Sequence, residues 1–436
     1  MTSRNIIVFL NAGGTIMSTQ RGDISRDLIG LRDRADNHRA FRLMRDQLSK
    51  IYGGDVLAKY EHAYAEIGGR GPILSENASL GYWNDILDSL TSVYNEYGES
   101  LRGVVILHGT DTMSYMAPLL LFRAQGLTFP IVITGANLQP SLSPDDTSKI
   151  DMATDAWGNI HAALVFIDRY GGVVPGVYVS FASRICLPFN LRKLRRQAAR
   201  DRVVGEIDAG AFVHQVIEPT HLYRFENVNT AAPYLARIVD GEIVLSDIFR
   251  HVQSIYKKFQ RGEGVRFNKI RVTERSCFLL KITPALFPLF TDSGWQASGG
   301  SAGYDLPNEL SIVIFEGYKS GTLPTSFENS IQKFCLSCRD RGIPVVLTTR
   351  YGLHESEYGS TKDLTFLIRP KMMISETMLA AAYHVVDEVE AELSREGEPD
   401  LDIASQRRLL DRRSHGIERR LMMIEELFES IKLRPD

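Results

Sequence analysis

The sequence predicts an α/β fold built as two α/β domains: a larger N-terminal doubly wound parallel sheet and a smaller C-terminal α/β domain, followed by a C-terminal helical tail. Three observations carry this. Short apolar runs, Ile6–Leu10 and Val104–Leu107 among them, end in polar turns and precede stretches with apolar residues at helical spacing, the alternation of parallel βα units. The same alternation restarts near Cys277. After Pro399, Ile403, Leu410, Ile417, Leu421, Ile424, Phe428 and Ile431 recur at sevens, fours and threes, one apolar stripe along a long helix.

Taken in order, Ile6–Leu10 is a buried strand ending in Asn11-Ala12-Gly13-Gly14-Thr15-Ile16. The Gly pair calls for a tight backbone turn that presents Thr15; without a following Gly-Lys-Ser/Thr it is no phosphate loop. Residues 18–37 are charged, rich in Arg and Asp, and read as a mobile loop. Helix is expected over Phe41–Ile51, strand over Tyr60–Ile67, and helix from Ser79 to Tyr97 after Pro72-Ile73-Leu74-Ser75-Glu76-Asn77. Val104–Leu107 is a second buried strand. Its turn, His108-Gly109-Thr110-Asp111-Thr112-Met113, sits where open α/β sheets place ligands, and it leads into a helix over Ser114–Ala124. An ordinary βα turn with Asp111 as helix N-cap is the plainer alternative. Ile131–Ile133 is a strand, 140–148 a polar loop, Ala153–Ala163 a helix, and Leu164–Ile167 and Val177–Val179 strands. This expectation sets domains at 1–205, a connector at 206–270 with short strands and a helix over Leu245–Gln260, a C-terminal α/β domain at 271–395 and the helical tail at 396–436. Within the third, strands are expected at Phe278–Leu280, Ile312–Phe315 and Val345–Leu347, and helices at Ser326–Arg341 and Ser375–Leu393.

Composition excludes several function classes. A chain of 436 residues with 44% hydrophobic residues can bury two or three cores. A net charge of −3 makes no whole-chain case for nucleic acid or an anionic membrane. Cys186, Cys277, Cys335 and Cys338 form no disulfide framework. Cys335 and Cys338, a CxxC inside an expected helix without a second pair, read as two buried thiols rather than a metal or redox site. No His/Cys/Asp cluster has ligand spacing, so neither metal nor cofactor is implied, and His108 reads as a turn-stabilising residue. The start of the chain has no signal-peptide pattern and no run is long enough to span a membrane, so a cytoplasmic protein is expected. The tail's second face carries Arg407, Arg408, Arg412, Arg413, Arg419 and Arg420. A packed or dimer-forming helix with a solvated basic face is favoured over a nucleic-acid arm, because acidic residues are interspersed.

Together, Ala12-Gly13-Gly14-Thr15-Ile16 and His108-Gly109-Thr110-Asp111-Thr112-Met113 resemble the signatures of the bacterial L-asparaginase family. The continuation Ser114-Tyr115-Met116-Ala117 is most similar to its type I, cytosolic branch. The resemblance implies hydrolysis of the side-chain amide of asparagine or a related small-molecule amide, and no nucleic-acid or membrane partner. It implies Thr15 as nucleophile and Thr110 paired with a lysine. The lysine is placed at Lys193, after Tyr178–Phe181 and Leu191-Arg192; a solvated place in the basic run 192–196 is the alternative. Arg192 stands where the family has a small Thr, and could supply a positive neighbour. Asp111 is implied to pair with the substrate ammonium, Ser75 to hold its carboxylate, and Asp155 and Asn159 to shape the cleft unless they merely cap a helix. The family assembles as dimers or dimers of dimers, so a homodimer or homotetramer is expected, with Glu357 the candidate for a neighbour's contribution.

Three departures stand out. No tyrosine lies between Met1 and Ile51 to close over the substrate, and Asp23 occupies the family's position. Glu76-Asn77 follows Ser75 where the family has Ser or Gln and then Asp. Ala12 replaces a Thr. The expectation is therefore an amidohydrolase whose turnover of free asparagine is weak. Its alternative is a catalytically impaired relative that binds an amino acid and signals through the tail. An amidotransferase component acting on charged transfer RNA shares the fold, but such proteins carry a domain before the first motif, and it is the least expected reading.

Overall fold

A computed structural model describes residues 5–18, 34–52, 55–138, 140, 154–195, 223–228, 230, 232–239, 242–246, 249, 252, 256, 264–282, 307–318, 321–324, 330–351, 364–395 and 402–429. The loop around Asp23, most of the polar loop after Pro140, most of the expected helix over 245–260, and Glu357 lie outside the described residues. The chain divides into two compact units. The first comprises 1–117, 125–227 and 232–267; the second comprises 118–124, 228–231 and 268–436.

In the first unit, strands β1 (Ile6–Asn11), β2 (Glu61–Glu66), β3 (Leu101–Leu107), β4 (Pro130–Thr134) and β5 (Gly176–Phe181) form the parallel part of an eight-stranded sheet. β1, β4 and β5 are buried at every position, which is why they read as unbroken apolar runs: both faces are covered. Strand β6 (Arg184–Cys186) turns antiparallel to β5. β7 (Leu191–Arg195) and β8 (Tyr223–Asn227) pair as a separate antiparallel hairpin. β9 (Ala236–Val239) joins β6, and β10 (Glu242–Leu245) joins β9, both antiparallel. Residues 223–245, expected as a connector, thus supply three strands.

The sheet order is β10-β9-β6-β5-β4-β3-β1-β2. From β1 the chain goes to β2 on one side, then returns to β3 on the other. That reversal makes the carboxyl ends of β1 and β3 the topological switch point, where helices diverge and leave a crevice.

Helices α1 (Arg34–Tyr52), α2 (Leu80–Tyr97), α3 (Met113–Arg123) and α4 (Ala156–Tyr170) belong wholly or in part to this unit. The Ser79 hydroxyl caps α2 by accepting from Tyr82 N, and Gly98 follows its end at φ 50°. The expected strand Leu164–Ile167 is instead the middle of α4. Those four residues are all buried along with Ala156, Trp157 and Ile160. A helix covered on nearly all sides shows the same apolar run as a central strand, and no Gly or Pro separates it from the helix before it.

The second unit holds three parallel strands, β11 (Cys277–Lys281), β12 (Ile312–Glu316) and β13 (Val345–Thr348). Its helices include α5 (Ser330–Asp340), α6 (Ser375–Arg395) and α7 (Ile403–Glu429). Phe315, Phe334, Cys335, Cys338 and Leu347 share one apolar core. Cys335 and Cys338 are therefore packing residues, and burial pushes the Cys338 thiol up to about 12, which keeps it unreactive. Of the tail stripe, Ile417, Leu421, Ile424 and Phe428 are buried, whereas Leu410 is exposed; the Ile403 side chain and Ile431 lie outside the described residues. Opposite charges tie α7 to α6, with Arg420 Nη2 2.6 Å from Glu392 Oε2 and Arg413 paired with Glu390. A buried cluster lies at the middle of α6, where the Asp387 carboxylate accepts from Arg123 Nη2 at 2.9 Å, Arg271 N at 2.6 Å and Arg271 Nη2 at 3.2 Å.

Candidate active site

The first wall of the switch point is the turn after β1. The Asn11 side chain accepts from Gly13 N at 2.9 Å, an Asx turn that bends the chain away from the strand. Its amide donates to Tyr64 Oη at 2.9 Å, and that hydroxyl donates to Glu66 Oε1 at 3.0 Å, so β2 braces the turn. Ala12 N donates to Leu107 O at 2.9 Å, and the Tyr82 hydroxyl donates to Ala12 O. Gly14 has φ 75° and ψ −178°, a conformation essentially confined to glycine. Its N–H donates to Ile73 O at 2.9 Å. Thr15 follows at the start of a short 3₁₀ turn, half-buried, with Ile16 and Met17 buried beneath it.

The second wall is the turn after β3. His108 N donates to Thr134 O at 2.8 Å, and its ring Nδ1–H donates to Gly109 O at 2.7 Å. Burial holds the His108 pKa down at about 4, against the smaller opposing effect of the Gly109 carbonyl. The ring is thus neutral at physiological pH and locks the turn rather than serving as an acid. A Cβ on Gly14 would lie 2.3 Å from Gly109 Cα, so the two turns meet backbone to backbone. A Cβ on Gly109 would lie 2.3 Å from Ser75 Oγ. Ser75, buried, is therefore wedged at the same point, and its hydroxyl accepts from Asp111 N at 3.3 Å while its carbonyl accepts from Thr112 Oγ1 at 3.1 Å.

The third wall is hairpin β7–β8. Lys193 Nζ donates to Thr110 Oγ1 at 2.8 Å and to Asp111 Oδ1 at 2.7 Å. The Lys193 side chain is 20% exposed and that of Asp111 59%, so the pair stands at the mouth of the crevice with Thr110 buried behind it. Arg192, next to Lys193 on β7, is buried, and alternation along a strand starts its side chain from the opposite face of the strand. Helix α3 begins with Met116 N donating to Thr112 O, so Thr112, not Asp111, is the capping position, and the Asp111 carboxylate is spent on Lys193.

Of the expected site residues, Thr110, Asp111, Lys193 and Ser75 are in direct contact, and Thr15 adjoins them through Gly14. Glu76 and Asn77 are exposed on the 3₁₀ turn Ser75–Asn77. Asp155 precedes α4 without capping it; its carboxylate accepts from Asn137 N at 2.9 Å and Leu138 N at 3.0 Å. Asn159 holds Gly135 O at 2.9 Å and Ala182 N at 2.8 Å. Both residues shape the turn after β4. Sequence reasoning missed Tyr223, whose ring centroid is 4.4 Å from Lys193 Nζ. Its only local signal is the alternation of Tyr223-Arg224-Phe225-Glu226. Among the described residues no group of His, Cys, Asp and Glu could hold a metal ion, and no helix is long and apolar enough to cross a membrane.

Fold and site define a doubly wound α/β protein with a hydroxyl–lysine–carboxylate cluster at its switch point. Residues 6–202 match the family model described as "Asparaginase, N-terminal". An L-asparaginase of Thermococcus kodakarensis is 26% identical over 268 residues, 62% of this chain and 62% of that protein. A glutamyl-tRNA(Gln) amidotransferase subunit of Metallosphaera sedula is 39% identical over 262 residues, 60% of this chain and 48% of that protein. The chain thus aligns with about half to three fifths of these relatives' length. The crystal structure of L-asparaginase I from Vibrio cholerae superposes with a TM-score of 0.59 at 18% identity, covering 91% of this chain and 97% of that one. The L-asparaginase structure from T. kodakarensis gives 0.58 at 19% identity, covering 94% and 98%. These likenesses extend the shared fold to both units.

Proposed function

We propose that this protein is an amidohydrolase that cleaves the side-chain amide of L-asparagine or a related amide, with Thr15 as nucleophile. The observation that carries the reading is the 2.8 Å contact of Lys193 Nζ with Thr110 Oγ1, beside the point where the Gly14 and Gly109 backbones meet. A threonine hydroxyl attacks a carbonyl only if its proton is taken, and a hydroxyl–amine pair within hydrogen-bond reach is the arrangement that takes it. A substrate ammonium on Asp111 would take the place of Lys193 in its ion pair. In this reading the unprotonated Lys193 amine takes the Thr110 proton, Thr110 takes the Thr15 proton, and the Thr15 oxygen bonds to the amide carbon as the carbonyl π pair moves onto oxygen. Collapse of the tetrahedral adduct breaks the C–N bond, the amine leaves as ammonia with the transferred proton, and water cleaves the resulting ester. Ser75 serves the substrate carboxylate, Glu76 and Asn77 border the ammonium pocket, and Glu357 is the contribution from a neighbouring subunit. Cytoplasmic placement, a homodimer or homotetramer and the type I affiliation belong to this same reading.

The 39% identity with the M. sedula amidotransferase protein favours a second reading, in which the amide is glutamine and the ammonia passes to a glutamyl-tRNA substrate on a partner subunit. This reading reopens the expectation of no nucleic-acid partner.

Ammonia release from asparagine, glutamine and a panel of related amides tests the proposal. The absent loop tyrosine predicts weak turnover of free asparagine and stronger turnover of another amide. Thr15→Ala should lower it on the order of 10⁴-fold or more. Silence on every amide, or full activity in Thr15→Ala, sinks the reading and leaves an amino-acid-binding regulator. Ammonia from glutamine that is captured on glutamyl-tRNA selects the second reading.

A further inference from the structure

We propose that Tyr223, held by Asn137, is a positioning residue that sets Lys193 against Thr110. The inference rests on the amidohydrolase reading of the same site. Four observations support it. The Tyr223 ring lies 4.4 Å from Lys193 Nζ, within the range at which an aromatic face attracts an ammonium. Arg195, two residues after Lys193 on β7, pairs directly with Tyr223 on β8, so the hairpin register brings the ring back over the lysine. The Asn137 side chain grips the Tyr223 backbone from both sides: its amide donates to Tyr223 O at 3.1 Å and its carbonyl accepts from Tyr223 N at 3.2 Å. Asn137 is itself fixed, because Asp155 accepts from both its N–H and its Nδ2, each at 2.9 Å.

The chain of contacts therefore runs from Asp155 through Asn137 and Tyr223 to Lys193, Thr110 and Asp111. A lysine on a four-carbon stem has many rotamers. Here the Tyr223 ring contact adds to the hydrogen bonds with Thr110 and Asp111 in favouring one placement of its amine. The wall comes from β8, whereas the tyrosine expected in the loop after Thr15 is absent from the sequence.

Two measurements test the clamp. The first is trace acetylation of Lys193 by acetic anhydride, quantified by peptide mass spectrometry against the exposed Lys59 of the same sample. Tyr223→Leu and Asn137→Ala should raise Lys193 labelling about two- to fivefold, the range expected for loss of one partly exposed ring contact, whereas Tyr223→Phe, which keeps the ring face, should match the parent. Equal labelling in Tyr223→Leu and the parent overturns the clamp, whatever the activity. The second is ammonia release: kcat should fall by the same factor in Tyr223→Leu and Asn137→Ala with KM changed less than twofold, Tyr223→Phe should be restored, and the double variant should be no worse than either single. A kcat that does not move, or a Tyr223→Phe as slow as Tyr223→Leu, also overturns it. A parent protein silent on all amides defeats the hydrolase reading instead, and the labelling pattern then still decides whether Tyr223 holds Lys193.

Discussion

Gly14→Ala is the sharpest perturbation of the switch point. At φ 75° and ψ −178° an alanine occupies a region that costs about 1–3 kcal/mol for any residue with a Cβ. The new methyl also lies 2.3 Å from Gly109 Cα and 2.4 Å from Gly109 N, and 2.9 Å from His108 C. These are backbone atoms and cannot swing aside like a flexible side chain. Ordinary van der Waals contact begins near 3.4 Å, so the two turns must part by about 1 Å. A displacement of that size at reacting groups is worth on the order of 100-fold in rate. Thr15 rides on one turn and Thr110 on the other, so the expected result is a folded protein with kcat/KM for ammonia release down about 100-fold and a lowered urea midpoint. Gly172→Ala is the control, since its Cβ would meet nothing within 4 Å, and it should behave as the parent. Gly14→Ala with more than half the parental kcat/KM and an unchanged urea midpoint would refute the contact between the turns.

Two further outcomes concern the rest of the chain. Asp387→Asn leaves Arg123, itself buried, without its counter-charge and should destabilise the second unit by about 3–5 kcal/mol in urea unfolding; the double variant Arg123→Met with Asp387→Leu should recover much of the loss, and a single variant as stable as the parent counts against the buried cluster. Burial holds His62, His108 and His161 at about 4 and, with help from the Arg123 charge, His384 at about 3, all below their ordinary 6.5. The unfolded chain then binds protons that the native one refuses, so stability is full above pH 6.5 and is lost as pH falls toward 4, with a limiting slope of about 1.4 kcal/mol per pH unit for each histidine. Urea midpoints measured at pH 7, 6, 5 and 4.5 should decline through that window, and a flat profile from pH 7 to 5 would reject the buried neutral histidines.

The fold class was legible because its signals are local. Buried strands β1, β3, β4 and β5 show themselves as apolar runs ended by polar turns, and α7 as a stripe of which Ile417, Leu421, Ile424 and Phe428 are buried. Where a signal had two local explanations, chain order alone could not choose between them, as with Leu164–Ile167, helical because α4 is covered on nearly every side. Asp155 likewise suits a helix start by residue type, yet its carboxylate goes to the preceding turn.

By itself the sequence determined the strand–turn–helix rhythm, the two Gly-containing turns and the residue types they present, because dihedral preference and hydrophobic period act within a few residues. It took the assembled sheet to set β1 and β3 side by side, to bring Gly14 against Gly109, and to carry Lys193 to Thr110 with Tyr223 beside it. Those facts depend on strand order and on β7–β8 register between residues about thirty positions apart. Long-range pairing is settled by burial of the whole sheet, and no short stretch of chain encodes it.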